Sequence, residues 1–424
     1  MRLGLLPANR NAGGVFQVSL SMIESLVPGQ PDELVLVHNK NGELPLSELR
    51  RAGWETAELP AASHARFRLL RAAARRAGLR RSAGPMYPEP DNVQRDVPLD
   101  EWFAQLGVDL MLYPVPTTSA FEIDVPYVAA VHDLQHVLQP KFPEVSADGQ
   151  AETREYLFRN LIRSAVTVVV DSETGKEDVL ASYGEYIDAD RVQVLPFAPP
   201  GYLFDPPPTT RDVRAAYDLP ERYLFYPAQF WPHKNHARLI EAVALLRERG
   251  LDVTLVLCGV HDGSLRERTH AEVLQLISRH GLSDHVRLLG YVSDDDMRAL
   301  YAGAVALTMP TFFGPTNIPV LEAWAAGCPV VTSDLRGIRE QVGDAAVLAD
   351  PRSVEDLADA IARVWTNDTL RSALVEAGSV RLRAFTPEAY RRRLHEILDD
   401  ARERVRNGER GNRLWRTPSR ITSN

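Results

Sequence analysis

Apolar residues in this chain fall in short runs separated by stretches in which they recur at helical spacing. The chain opens with Leu3-Gly4-Leu5-Leu6, passes a Gly13-Gly14 pair, and continues with Val15, Val18, Met22 and Leu26 three to four residues apart. That order predicts a strand, a glycine turn and a helix. Further apolar runs at Leu34 to Val37, Tyr127 to Val131 and Val166 to Val170 alternate with helical stretches such as Glu152 to Ala165. Short runs that are apolar throughout, with helices between them, predict a parallel sheet covered on both faces.

Between Pro196 and Pro220 the rhythm stops at Pro199-Pro200 and Pro206-Pro207-Pro208-Thr209-Thr210. Prolines remove backbone donors and fix φ, so the boundary between two domains is expected here. A second series follows: strand Leu224-Phe225-Tyr226, a helix marked by Leu239, Ile240, Val243 and Leu246 and closed by Gly250, and strand Val253 to Cys258. Thr269 with Glu272, Ser293 with Asp296, and Ser353 with Asp356 have the spacing of capping boxes at helix starts. Residues 387 to 406 read as a charged helix, and the polar, Arg-rich residues from Asn407 on as disordered. The fold expected is α/β, with two doubly wound Rossmann-like domains facing a cleft. Residues 1–200 would form the first domain, 201–220 a linker, 221–385 the second domain, 386–406 a final helix and 407–424 the tail. In such sheets ligands sit beyond the carboxyl ends of the strands.

Composition narrows the chemistry. The 424 residues include 45% hydrophobic and 25% charged positions, as in a folded globular protein, and the net charge of -9 disfavours nucleic acid as a partner. Cys258 and Cys328 each lie in an apolar run, which predicts buried thiols and a reducing compartment rather than a disulfide framework. No window reaches the roughly 18 apolar residues of a membrane span. A cytoplasmic protein is expected.

The richest segment is Pro310 to Val331. It reads as the strand Val305 to Met309, a turn rich in glycine and proline, a helix with Pro319 at its first position and Gly327 past its end, and a further strand. Such a turn aims helix N-terminal amides into the cleft, where they hold phosphate oxygens. Glu322, read as lying in the first turn, is placed either to accept hydrogen bonds from ribose hydroxyls or simply to complement the helix dipole. A second segment, Tyr226 to Asn235, again leads from a strand through a loop to a helix, with Asn235 as N-cap. Lys234 in that loop can neutralise a pyrophosphate as it leaves.

These segments resemble the GT-B glycosyltransferases of family 4, retaining enzymes that use nucleotide-diphosphate sugars. The match is carried by Lys234-Asn235, Leu257-Cys258-Gly259, Leu289 to Ser293 with Leu300-Tyr301, Ile318 to Ala323 with Gly327 and Pro329 to Val331, and Gly337 to Glu340 through Asp350-Pro351. The resemblance implies that Lys234 binds the donor pyrophosphate, Glu322 the ribose and the backbone around Thr316, Asn317 and Ile318 the phosphates, with Tyr291 and Val292 beside the nucleobase. It also implies that Gly13 and Gly14 approach the phosphates from across the cleft and that His132 reaches the donor sugar. Alone, Gly13-Gly14 reads as a tight turn and His132 as a core histidine. Two positions depart from the family pattern: Gly314 stands where the first of two glutamates is usual, and Gln229 where an arginine is. Asn317 and Gln229 then become candidates for uncharged replacement contacts.

Other signals carry less. Asp294-Asp295-Asp296 opens a helix, where acidic residues are expected on dipole grounds. His132 and His136 have the spacing of metal ligands without a third, and Asp133 is better suited to orienting a ring. No cofactor and no metal are therefore expected. Arg66 to Arg81 is a basic, partly apolar helix candidate, read either as a solvated face or as a peripheral contact with the inner face of a membrane carrying a lipid-linked saccharide acceptor. The function expected is transfer of a hexose to a hydroxyl acceptor in bacterial polysaccharide or glycoconjugate synthesis. The alternatives are a sugar-nucleotide epimerase or hydrolase and a non-catalytic sugar-nucleotide-binding subunit.

Overall fold

The computed structural model describes residues 1–8, 14–26, 32–39, 44–60, 91–204 and 212–411. Gly13 and the Arg66 to Arg81 stretch lie outside them, as does the tail from residue 412. Beyond the last helix, Gly408 adopts φ 80°, and a Cβ on Gly411 would meet the backbone of Ser164.

Seven parallel strands form the first sheet, in the order β3-β2-β1-β4-β5-β6-β7. They are β1 (Arg2–Leu5), β2 (Glu33–His38), β3 (Glu55–Glu58), β4 (Leu110–Tyr113), β5 (Tyr127–Ala130), β6 (Thr167–Val170) and β7 (Val192–Val194). The second sheet has six, in the order β10-β9-β8-β11-β12-β13. Its strands are β8 (Leu224–Pro227), β9 (Leu255–Cys258), β10 (Val286–Leu288), β11 (Ala306–Met309), β12 (Val330–Ser333) and β13 (Val347–Ala349). Each sheet thus reverses its strand order once, between β1 and β4 and between β8 and β11. At such reversals neighbouring loops diverge and leave a crevice.

The helices that matter to the cleft are α1 (Gly14–Ser25), α2 (Gln135–Leu138), α3 (Gln150–Ser164), α4 (Glu173–Tyr183), α5 (His236–Glu248), α6 (Ser264–Arg279), α7 (Asp294–Gly303), α8 (Ile318–Ala325), α9 (Arg336–Val342) and α10 (Val354–Thr366). Ser293 and Ser353 accept hydrogen bonds from the amides of Asp296 and Asp356, so α7 and α10 are capped as their sequences predict. Thr269 is not a cap: it lies inside α6, and its hydroxyl donates to Leu265 O. The helix begins earlier, at Ser264, after Gly263 with φ 103°.

A further helix, α11 (Pro387–Arg406), returns from the second sheet and packs on the first. Tyr390, Leu394, Ile397, Leu398 and Ala401 are buried with Leu3, Leu5, Val18 and Met22. Arg402 forms a buried ion pair with Asp32, and His395 Nε2 meets Ser25 O at 3.1 Å. Cys258 and Cys328 are buried and unpaired, as their apolar neighbours predict. Among the described residues no helix is long and apolar enough to cross a membrane.

Candidate active site

Loops beyond the carboxyl ends of β5 and β6 meet those beyond β8, β11 and β12 across the interface between the two sheets. Glu340 of α9 accepts the backbone amides of Glu173 and Thr174, each at 2.8 Å, so it caps the N-terminus of α4 from the other domain. Thr316 Oγ1 donates to Asp171 at 2.6 Å, and Gln139 Nε2 donates to Phe312 O at 2.7 Å. Glu144 Oε1 accepts His233 Nδ1 at 2.6 Å. Burial raises the Asp171 carboxyl to about 7, against the bonds from Thr316 and Ser172 that lower it.

Lys234 is positioned by backbone constraints on either side. A 3₁₀ turn spans Pro232–Lys234, and Tyr226 Oη donates to Lys234 O at 2.9 Å. Asn235 precedes α5 but does not cap it through its side chain. It adopts φ 61°, and its Nδ2 donates to Pro310 O at 2.9 Å and Pro351 O at 2.8 Å. The side chain is diverted because those two carbonyls are buried and need a donor. This clamp ties the Lys234 turn to the loop after β11. Desolvation lowers the Lys234 ammonium to about 8, while Asp133 and Glu144 from the first domain hold it up. No carboxylate among the described residues forms an ion pair with it.

The loop after β11 carries Gly314 at φ 125°, and a Cβ there would lie 3.0 Å from Asn317 Oδ1. Glycine is needed here for both reasons. Gln341 bonds Asn317 twice, accepting from its amide and donating to its carbonyl at 2.9 Å each. Of the three amides expected to hold phosphate, that of Asn317 is therefore taken, whereas those of Thr316 and Ile318 have no partner among the described residues. Helix α8 starts at Ile318, which puts Pro319 second rather than first. Glu322 is the fifth residue and lies beyond the first turn, so a dipole role does not explain it. Its Oε1 accepts Tyr202 Oη at 3.0 Å and its Oε2 accepts Tyr301 Oη at 2.6 Å. Desolvation raises its pKa while both tyrosines oppose that shift. Each carboxylate oxygen has two lone pairs, so each can accept one more hydroxyl.

From the first domain, Gly14 faces the start of α8: a Cβ on it would lie 3.6 Å from Ile318 Cδ1. His132 lines a cavity of about 230 Å³ between the domains, together with Asp133, Gly314, Phe312, Thr174 and Arg336. Its Nε2 donates to Pro114 O at 2.8 Å, and burial lowers its pKa, leaving a neutral ring with Nδ1 unpartnered among the described residues. Asp133 does not orient a ring. It accepts Arg154 Nη2 at 2.6 Å and the Gln135 amide at 3.0 Å. His136 Nε2 meets Tyr183 Oη at 3.1 Å, away from His132. Asp296 accepts Tyr217 Oη at 2.7 Å, and no group of three metal-ligating side chains occurs among the described residues.

Lys234, Glu322 and Tyr291 lie outside the His132 cavity. They follow β8, occupy α8 and follow β10 respectively. Tyr291 is 68% exposed and Val292 is buried. Tyr202, Gln341, Asp171 and Glu144 were not marked by the sequence. Tyr202 sits among linker prolines with no periodic signal, and the others act only through tertiary contacts.

Residues 211–381 match the family model for glycosyl transferases group 1. The O-antigen chain mannosyltransferase B of Escherichia coli is 28% identical over 249 residues, 58% of this chain and 64% of that protein. A D-inositol 3-phosphate glycosyltransferase of Salinispora tropica is 29% identical over 293 residues, 65% of this chain and 58% of that one. The chain thus spans about three fifths of these relatives' lengths. Among solved structures, sucrose-phosphate synthase from Thermosynechococcus elongatus superposes with a TM-score of 0.69 at 19% identity, covering 95% of this chain and 100% of that one. Anabaena HepE, solved in complex with UDP and glucose, gives 0.68 at 20%, covering 94% and 99%. With its two facing parallel sheets the chain has the GT-B fold of these solved structures, and over residues 211–381 it is similar to the glycosyl transferases group 1.

Proposed function

We propose that the chain moves a hexose from a nucleotide-diphosphate sugar to a hydroxyl of a saccharide or lipid-linked saccharide, with retention at the anomeric carbon and without a metal, in bacterial polysaccharide or glycoconjugate synthesis. The observation that carries this reading is that the strand-to-helix units after β8 and β11 of one sheet hold an ammonium with no ion-pair partner among the described residues, two amides without a partner among those residues at a helix start and, further along that helix, a carboxylate with open acceptor capacity. An ammonium and helix N-terminal amides are what a departing diphosphate needs. A carboxylate fixed by two tyrosines is preorganised to take the paired hydroxyls of a ribose. The names of the relatives, a mannosyltransferase and an inositol phosphate glycosyltransferase, support sugar transfer, and the neighbour solved with UDP supports a nucleotide donor.

In this reading His132, neutral and with Nδ1 free, accepts a hydrogen bond from a donor-sugar hydroxyl. No protein base is placed for the acceptor. The leaving diphosphate takes the acceptor proton on the face it departs from, and Lys234 with the Thr316 and Ile318 amides stabilises the charge it carries. Lys234→Ala is expected to cut turnover by roughly a hundredfold or more with the thermal midpoint retained. The assay measures sugar transfer and nucleotide release from UDP-, GDP- and ADP-sugars, with and without saccharide acceptors. Equal nucleotide release without acceptor would identify a hydrolase instead, and near-normal turnover of the Lys234 variant would overturn the site.

A further inference from the structure

The backbones of the loops after β8 and β9 touch. Gly259 adopts φ 152°, and a Cβ on it would lie 2.2 Å from Ala228 O. Its amide donates to Gly290 O at 2.8 Å, which gathers the carboxyl ends of β8, β9 and β10 at one point. Because of that approach, a side chain from the start of α6 reaches the turn that carries Lys234. The residue is Arg266. Its Nη1 donates to Gln229 Oε1 at 3.1 Å, and its guanidinium lies over the Trp231 ring, 5.0 Å from the centroid. Trp231 Nε1 donates to the same Gln229 oxygen at 2.9 Å. Gln229 O accepts the Trp231 amide at 2.8 Å and Trp231 O accepts the Lys234 amide at 2.9 Å, so Arg266 and Lys234 flank one hydrogen-bonded turn.

The chemistry of the holders is informative. Elsewhere in the second domain, at the far end of α5, Arg247 pairs with Asp252 and Arg249 with Asp359, each at 2.6 Å. Among the described residues Arg266 pairs with none. An amide oxygen and an indole face fix its direction without cancelling its charge, and a single donated bond leaves most of its five donors open. A planar fork held this way is preorganised for a phosphate oxygen pair. Lys234 alone supplies one positive charge to a group that carries more than one negative charge.

We infer that Arg266 is a second cationic anchor for the donor diphosphate, held in place by Gln229 and Trp231. This rests on the donor-site reading above and deepens it: the charge absent at position 229 enters from the neighbouring helix, with Gln229 as its holder. The test is calorimetric titration of the full chain with inorganic pyrophosphate and with UDP, alongside uridine. Arg266→Gln is expected to weaken pyrophosphate and UDP binding by roughly tenfold to a hundredfold, to leave uridine binding unchanged and to flatten the salt dependence. Arg266→Lys retains part of the affinity, and Gln229→Glu lowers it by neutralising the guanidinium in place. Thermal midpoints verify folding of each variant. If Lys234→Ala abolishes pyrophosphate binding while Arg266→Gln binds as the parent does, the Arg266 role is wrong and the donor site stands. If neither substitution changes binding, both are wrong.

Discussion

The depressed Lys234 ammonium makes donor affinity pH-dependent in a range where few other groups titrate. Burial lowers this lysine to about 8, so the charged form that a diphosphate requires dominates at neutral pH and is lost above it. The sign follows directly: binding that needs the proton weakens as pH rises through the free-enzyme value. With that value, the protonated fraction falls from about ten elevenths at pH 7 to about one eleventh at pH 9, roughly a tenfold loss of affinity, or about 1.4 kcal/mol. Burial alone would raise the nearby Glu144 carboxyl, but its bonds with His233 hold it below the ordinary value, so it stays ionised throughout this interval. Calorimetric titration with UDP between pH 7 and 9 at constant ionic strength measures the effect. Lys234→Arg, which keeps its charge over the whole range, is the control and is expected to give a flat profile. A flat profile in the parent, or an equal slope in the arginine variant, would refute the assignment of Lys234 as the titrating contact.

Three further outcomes are expected. Gly314→Glu, which restores the glutamate usual in the family, should lower stability by about 1–3 kcal/mol without raising turnover, because φ is 125° and Asn317 occupies the space; thermal unfolding and initial rates check both parts. Asn235→Ala should cost about 2–4 kcal/mol in urea unfolding, from two buried hydrogen bonds to Pro310 and Pro351 and a left-handed residue that alanine disfavours. Tyr202→Phe should weaken nucleotide binding about threefold to tenfold by freeing Glu322 to rotate; tighter binding would show instead that Tyr202 competes with the ribose.

Sequence pattern revealed the parts of this architecture that depend on local spacing. Strands such as Leu224–Pro227, the caps at Ser293 and Ser353 and the helix Pro387–Arg406 announce themselves through periodicity, hydroxyls and punctuation. Glu55–Glu58 does not, since an edge strand with acidic ends lacks an apolar run. Asn235 has the residue type of a cap, yet two distant carbonyls outcompete its own helix for the side chain. Thr269 and Glu272 have the right spacing in the wrong place, because Gly263 starts the helix earlier. At the site, Lys234 and Glu322 stand within readable strand-turn-helix units. Tyr202, Gln341 and Arg266 reach it only through the crossing of separate loops, which no local window contains.

Helix α11 places one more constraint on the molecule, in time rather than space. The first sheet is translated first, yet the layer that seals one of its faces, from Tyr390 to Ala401, is encoded after the whole second sheet. The second domain has all its strands within one contiguous stretch and can complete its core during synthesis. In the first, the cluster that holds Leu3, Leu5 and Met22 stays incomplete until α11 emerges and Arg402 finds Asp32. Order of synthesis and order of completion are therefore inverted. Because the chain crosses between the domains twice, once in the proline-rich linker and once before α11, any opening of the cleft must turn about both crossings together.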